Sequence, residues 1–328
     1  MSGVATLALL FATGISGLAL VALFRFRRFL PVSQVNERTL HQGAVPRVAG
    51  LALWLGFVPV ALVLAAPSWL APSLWGGPWL LLFAVSLRDD MRSVGVPARL
   101  LVHLAASAWF AWALADVLAL PWWGGALTFL ATAWALNLYN FMDGSDGLAV
   151  TMTIMGFASL GGVLLAGGQG GTMPLAVAAA GLPLLLVNTP PARMFIGDVG
   201  AVPLGFLAAA MGAAGIAAGA WQAWFPILAF LPFVADATAT LARRMYRGER
   251  FWESHRSHYY QRLLRLGAGH TGTLAVYGAL MLGCAGSAIA CALWAPDAGP
   301  WALAAWCAVH AAIFAAIDYH WRRSPHPT

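Results

Sequence analysis

Residues 3–24 read GVATLALLFATGISGLALVALF, an apolar run without a single charge, and Arg25, Arg27 and Arg28 follow it at once. A helix needs about 20 such residues to cross the roughly 30 Å hydrocarbon core of a bilayer. A secretory signal would place its basic residues before the apolar run rather than after it. The order found here predicts a membrane anchor whose N-terminus lies outside and whose Arg cluster stays on the cytoplasmic side.

The same window passed along the 328 residues finds eleven candidate spans, at 3–24, 48–66, 69–87, 99–119, 122–139, 148–167, 172–189, 200–219, 222–241, 271–293 and 299–318. The count becomes ten if the break at Ala66-Pro67-Ser68 does not separate two spans. Composition agrees: 61% of residues are hydrophobic and 9% charged, where a soluble domain carries about a quarter charged residues. A water-soluble globule is excluded, and the expected fold is an all-α polytopic bundle forming one domain over residues 1–328. Cys284, Cys291 and Cys307 lie in apolar segments without metal-ligand spacing and read as packing residues.

The basic residues number 18, and all are Arg. Every one falls in a loop after an odd-numbered span or in the tail at Arg322-Arg323, so those loops and the C-terminus are expected to be cytoplasmic. Most acids share that side, whereas outer connections such as 167–171 are short and Gly-rich. Chemistry is therefore expected at the inner face.

Four inner loops carry the candidate residues. Ser86-Leu87-Arg88-Asp89-Asp90 holds two adjacent carboxylates, which repel unless a cation or donor compensates them. It reads either as a solvated loop with Arg88 and Arg92 as counter-charges or as part of a site. NLYNFMDGSDGLA, residues 137–149, sets Asp143 and Asp146 three apart beside Gly144 and Gly147. It could merely cap the next helix, or its carboxylates and turn could hold Mg²⁺ with phosphate. NTPPARMFIGDVGAVPLG, residues 188–205, puts Asp198 five residues after Arg193 and between Gly197 and Gly200. The long polar loop 242–270 holds seven Arg with His255, His258 and His270. Arg, His and Ser together suit donation to phosphate oxygens, and the lack of a nearby third His or Cys argues against zinc.

Two ionisable residues, His103 and Asp236, stand inside apolar helices, where such groups are functional candidates by default. Asp236 also lies two turns before Arg243 and could pair with it.

Taken together, RTLHQGAVPRVAG, SLRDDMRSVGVPARLLVHL, NLYNFMDGSDGLA, NTPPARMFIGDVGAVPLG and the stretch from Asp236 to His258 resemble the polyprenyl-phosphate N-acetylhexosamine-1-phosphate transferases, in that family's order and on one face. The resemblance implies catalytic roles for Asp89, Asp90 and Asp198 and magnesium ligation by Asp198 with Asp143 and Asp146. It implies substrate binding by Arg38, His41, Arg47, Asn140, Asp143, Asp146, Asn188, Arg193, Asp236, His255, Arg256 and His258. Two departures stand out: Arg99 where many members have Lys, and HRSH where the peptidoglycan-precursor branch has three consecutive histidines. The form is more similar to the O-antigen and capsule branch.

The implied reaction moves a HexNAc 1-phosphate from a UDP-sugar to undecaprenyl phosphate and releases UMP, with Mg²⁺, or Mn²⁺ in its place, as cofactor. The donor would be UDP-GlcNAc or a deoxy sugar such as UDP-FucNAc or UDP-QuiNAc. The implied setting is the bacterial inner membrane, with membrane lipids around the chain, a homodimer as one form of assembly, and no nucleic acid partner. The competing class is a lipid-linked sugar transporter or flippase, whose polar residues would line a path near the membrane midplane; here nearly all charges gather at one surface instead.

Overall fold

A computed structural model describes residues 2–27, 30, 45–64, 66–250 and 255–324. All eleven apolar segments are helical. In chain order the helices are α1 Gly3–Arg25, α2 Ala49–Val63, α3 Pro72–Met91, α4 Val96–Leu118, α5 Trp122–Met142, α6 Leu148–Ala166, α7 Thr172–Gly181, α8 Leu185–Asn188, α9 Asp198–Ala217, α10 Trp224–Ala229, α11 Leu231–Tyr246, α12 Tyr259–Leu263, α13 Gly269–Trp294 and α14 Gly299–Arg323. Seven spans among the described residues are long and apolar enough to cross a bilayer: α1, α3 with the turn before it, α4, α6, α9, the α12–α13 stretch and α14.

Three of the other four segments are cut short for local reasons. α2 has only 15 residues, about 23 Å of helix. Pro183 stands in the 3₁₀ turn that parts α7 from α8, and Pro232 opens α11 after α10 has ended at Ala229. A proline cannot donate to the preceding turn, which favours a break or restart at these two positions, although Pro59, Pro78 and Pro203 are carried inside α2, α3 and α9. Residues 66–71, with a 3₁₀ turn at Ser68–Leu70, part α2 from α3 as separate helices.

α9 is the central helix: 83% of its most apolar stretch is buried, against 17% for α1 and for α14. The helices close on it through small residues and rings. Gly50 of α2 lies against Gly200 of α9 so tightly that a Cβ on Gly50 would come 2.5 Å from the Gly200 Cα. Trp54 Nε1–H donates to the Val199 carbonyl at 2.7 Å, and Phe110 of α4 meets Phe206 of α9 edge-on at 5.5 Å. α1 is held to α7 by Ser16 Oγ, which donates to the Ala180 carbonyl at 2.7 Å. In a bilayer, where water drives no helix together, close approach of small residues and such interhelical bonds carry the association. The outward faces of α1, α4 and α14 expose Leu7, Leu18, Trp112 and Trp301, as a multi-pass membrane protein requires.

Candidate active site

The helix ends and loops at one pole of the bundle converge on α9's first turn. Residues 45–50 run alongside 193–197: Phe195 N–H donates to the Pro46 carbonyl at 2.8 Å, Ala49 N–H to the Phe195 carbonyl at 2.9 Å, and Gly50 N–H to the Ile196 carbonyl at 3.1 Å. Gly197 then turns the chain into α9 with φ +72°. A side chain there would suffer twice, since a Cβ would meet the Arg47 carbonyl oxygen at 2.1 Å and Asp90 Oδ2 at 2.6 Å, in a backbone region that L-residues avoid.

The exposed N–H groups of α9 receive a carboxylate. Asp198 N–H donates to Asp90 Oδ1 at 3.1 Å and Val199 N–H to Asp90 Oδ2 at 2.8 Å, so Asp90, at the far end of α3, caps a helix 108 residues onward. A negative charge at a helix N-terminus meets both the free donors and the positive end of the dipole. Asp89 is equally committed: its Oδ1 accepts from Val94 N–H at 2.6 Å and its Oδ2 from Arg99 at 2.6 Å. Arg99 also reaches Asp198 Oδ2 at 3.1 Å, and Arg47 reaches Asp198 Oδ1 at 3.4 Å. The paired aspartates of the sequence are thus compensated, one by a helix end and one by Arg99.

Asp143 and Asp146 lie in the turn between α5 and α6 rather than on a shared helix face, because α5 runs to Met142 and α6 begins only at Leu148. Asp146 is pinned: its Oδ2 accepts from Ala192 N–H at 2.8 Å and its Oδ1 lies 3.4 Å from His270 Nδ1. Gly144 makes room for a protein group and not only for a ligand, since the Tyr260 hydroxyl would lie 2.1 Å from a Cβ there. Asn188 clips the two loops together, its Oδ1 accepting from Gly147 N–H at 3.1 Å and its Nδ2 donating to the Met194 carbonyl at 3.0 Å.

The Asp143 carboxylate differs from all of these, for it accepts no hydrogen bond among the described residues. Burial pushes it well above the ordinary carboxylate range, and the charges of Asp198, Asp90 and Asp146 push the same way against the pull of Arg47. Burial works against the Arg47 charge too, but Asp198, Asp90, Asp143 and Asp89 outweigh it and raise its pKa. Arg47 thus feels four carboxylates, of which Asp143 is the one with no hydrogen-bond donor on it among the described residues.

Among the described residues no three His, Cys, Asp or Glu side chains are grouped so as to hold a metal unaided. The Asp143 carboxylate, with no donor on it among the described residues, is the group that could take a cation such as Mg²⁺, which commonly binds one or two carboxylates and completes its shell with water and substrate phosphates. Beside this cluster opens a cavity of about 400 Å³ lined by Val45, Asp146, Pro190, Pro191, Ala192, His270 and Thr271.

The remaining expected residues separate. Arg38 and His41 lie outside the described residues. Arg193 is exposed, donates to the Leu186 carbonyl at 2.8 Å and lies over the Phe24 ring at 5.8 Å, turned away from the carboxylates. Asn140 is half-buried in the last turn of α5. His255 and Arg256 are half-buried at the start of the described part of the Arg/His loop, where Ser257 Oγ and His255 Nδ1 are 2.9 Å apart.

Asp236 is fully enclosed and pairs not with Arg243 but with the start of α12, accepting from Tyr259 N–H and Tyr260 N–H at 2.9 Å each. Arg243 instead pairs with Asp318 of α14, which Arg262 also reaches at 2.6 Å. Asp236 looks like an intramembrane functional acid in the sequence; in the fold it has no face left for a substrate. His270 was visible only as one histidine of a polar loop, and 124 residues separate it from the Asp146 it touches.

Comparison with known proteins bears on this pole of the molecule. Residues 73–216, from α3 to α9, match the family model described as glycosyl transferase family 4. The chain is 25% identical over 257 residues to a probable undecaprenyl-phosphate N-acetylglucosaminyl 1-phosphate transferase of Bacillus subtilis, covering 73% of this chain and 71% of the relative. It is 24% identical over 263 residues to the undecaprenyl-phosphate alpha-N-acetylglucosaminyl 1-phosphate transferase of Escherichia coli K12, covering 72% and 70%. It is 31% identical over 192 residues to a phospho-N-acetylmuramoyl-pentapeptide-transferase of Moorella thermoacetica, covering 51% and 60%. The matched region carries Asp89, Asp90, Asp143, Asp146 and Asp198, and over it, from α3 to α9, the chain resembles glycosyl transferase family 4.

Proposed function

We propose that this protein transfers a HexNAc 1-phosphate from a UDP-sugar to undecaprenyl phosphate, giving undecaprenyl-diphospho-HexNAc and UMP, in a Mg²⁺-dependent reaction. The observation that carries the reading is the open Asp143 carboxylate set among Asp90, Asp146, Asp198 and Arg47. Two anionic phosphates must meet for this reaction, so catalysis is chiefly charge neutralisation and positioning.

Asp143 would hold the ion, whose charge offsets that of the donor diphosphate, with the nearby charges of Asp198 and Asp146 adding to the pull on it. Arg47 and Arg99 fix the Asp198 carboxylate and add positive charge on the acceptor side. Asp89 and Asp90 act by holding Arg99 and α9's first turn in place, since their oxygens are already taken by donors. His255 and Arg256 supply donors from the loop that covers the diphosphate.

Relatives named for N-acetylglucosaminyl transfer cover 73% and 72% of this chain, and the muramoyl-pentapeptide relative 51%. Together with HRSH in place of a histidine triplet, this favours UDP-GlcNAc or a deoxy relative as donor. It also favours a start to O-antigen, capsule or other envelope glycan synthesis. The Arg distribution supports an outside N-terminus and a cytoplasmic C-terminus.

The test is to incubate the purified protein with undecaprenyl phosphate and a panel of UDP-sugars, with Mg²⁺ or EDTA, and to follow UMP. Release of UMP with at least one UDP-HexNAc, abolished by EDTA, is expected; no release with any of them would defeat the reading.

A further inference from the structure

We propose that the corner formed by the C-terminal ends of α11 and α14 with α12 binds the headgroup phosphate of an anionic phospholipid from the surrounding membrane. Its residues are distinct from those of the transferase reading above.

α12 faces two ways. On one side Tyr260 stacks on His258 with ring centroids 5.9 Å apart, and its hydroxyl donates to the Phe141 carbonyl at 2.9 Å, two residues before Asp143. Behind that pair Asp236 also accepts from the Thr240 hydroxyl at 3.1 Å and from the Tyr277 hydroxyl, with His258 Nδ1 3.3 Å from its Oδ1. On the other side Tyr259 lies flat on Phe314 of α14 at 4.0 Å, Arg262 reaches Asp318 at 2.6 Å, and Arg243 of α11 pairs with the same Asp318 oxygen. The corner is thus separated from the aspartate cluster by α12 itself.

Positive charge is in excess there. The guanidinium groups of Arg243, Arg244, Arg247, Arg262, Arg265 and Arg322 meet two carboxylates among the described residues, Asp318 and Glu249, and Glu249 is already taken by Arg244 at 2.8 Å. Arg262 shows the shortfall most clearly: it is 6% exposed, its Nε has no hydrogen-bond partner, and the charges of Arg243 and Arg247 both bear on it. A buried cation whose neighbours are mostly cations is short of an anion. Aromatic rings hold the cations in this place. Arg262 lies over Tyr259 at 5.3 Å and over Trp321 at 5.6 Å, and Arg265 lies over the same Trp321 at 5.1 Å. Arg322 follows Trp321 and stands four residues after Asp318, on the same face of α14. Arg247, Arg265 and Arg322 are exposed and border the corner.

The occupant follows from chemistry and depth. Guanidinium forks match phosphate oxygens in pairs, and clusters of about four to eight basic residues directly beyond a membrane helix attract anionic headgroups. α14 is such a helix, apolar up to the segment that ends at Arg323. Its last turns carry exposed Tyr319 and half-buried Trp321, rings of the kind that sit at headgroup level. One and two turns deeper on the Asp318 face, Ala315 and Ala311 are exposed, and such small side chains let an acyl chain lie against the helix. A free phosphate would use the Arg groups alone, whereas a phospholipid uses them and that face together.

The test is lipid binding by the full-length protein in detergent, counted by native mass spectrometry. Dioleoyl phosphatidylglycerol, an anion, is expected to bind at least about tenfold more tightly than dioleoyl phosphatidylcholine, which has the same chains and phosphate but no net charge. The double variant Arg265→Gln/Arg322→Gln should weaken the first phosphatidylglycerol bound by about thirtyfold, the order for two Arg facing an anionic headgroup. Arg25→Gln/Arg27→Gln, which removes equal charge at the end of α1, should leave that binding within twofold, and so should millimolar inorganic phosphate. Equal binding of the two lipids by the wild type overturns the proposal, and that comparison needs no variant to fold. Equal weakening by the two double variants would reduce the attraction to overall charge, and displacement by inorganic phosphate would remove the lipid as its source; either overturns it. Equal weakening of undecaprenyl phosphate by Arg265→Gln/Arg322→Gln would assign the corner to the polyprenyl acceptor and overturns it as well.

Discussion

Replacing Asp90 by Asn separates a carboxylate that shapes the site from one that handles a proton. Both Asp90 oxygens accept backbone N–H groups at the start of α9, at 3.1 and 2.8 Å. An amide keeps one acceptor and turns an NH₂ group toward the other N–H. A hydrogen bond to a charged group contributes roughly 1.5–3 kcal/mol, and a charge at a helix terminus about 0.3–1 kcal/mol more. Against that loss, Asp90→Asn removes one negative charge from a cluster that includes Asp198 and Asp143, which offsets part of it.

The expected net cost is about 1–3 kcal/mol, seen as a drop of several degrees in thermal unfolding of the purified protein. Turnover should fall by the same factor at pH 6 and pH 9, because the displaced element is Asp198 on its helix and no proton transfer is lost. A variant as stable as wild type whose activity loss is confined to pH 6 would refute the reasoning and restore Asp90 as a base.

Three further outcomes follow from the same geometry. Gly197→Ala forces a Cβ to within 2.1 Å of the Arg47 carbonyl at φ +72°, so a loss of about 2–4 kcal/mol in thermal stability and no measurable UMP release are expected. Asn188→Ala strips partners from Gly147 N–H and the Met194 carbonyl; at about 1–3 kcal/mol for each buried orphan, its thermal unfolding should shift down at least as far as that of Asp90→Asn. Burial first, and then the neighbouring carboxylates, raise the Asp143 pKa, so a proton competes with the cation there. The cation site is fully available above the raised pKa and is lost as pH falls through it. The Mg²⁺ concentration giving half-maximal activity should therefore rise from pH 8 to pH 6 in the wild type, and Asp143→Asn should flatten that dependence.

The helices were legible in the sequence because apolar length is a local property: every one of the eleven runs is helical, from Gly3–Arg25 to Gly299–Arg323. The clustering of acids was legible as well, since loops between helices must return to one of two ends. What the residues do there was harder to read, because a carboxylate's role depends on its donors, and the donors are distant. Asp89 and Asp90 look alike in sequence, yet one answers to Arg99 and the other to the backbone at 198–199. Asp236 and Asp143 would rank alike as site acids, but Asp236 is enclosed by five donors and Asp143 has none among the described residues. Glycine spacing suggested room for a ligand at Gly144, and the Tyr260 ring from 116 residues away fills that room.

The stitch between residues 46–50 and 195–196 is made of main-chain groups alone. Side-chain exchanges there leave its hydrogen bonds uncut, provided the buried Val48 and Ala49 keep their bulk and Gly50 and Gly197 stay small. The pole at His258 is held the opposite way, by the side chains of Asp236, Thr240, Tyr277 and Tyr260, where a single replacement is felt at once. Replacements are thus better tolerated along that stitch than at the pole around α11, α12 and α13.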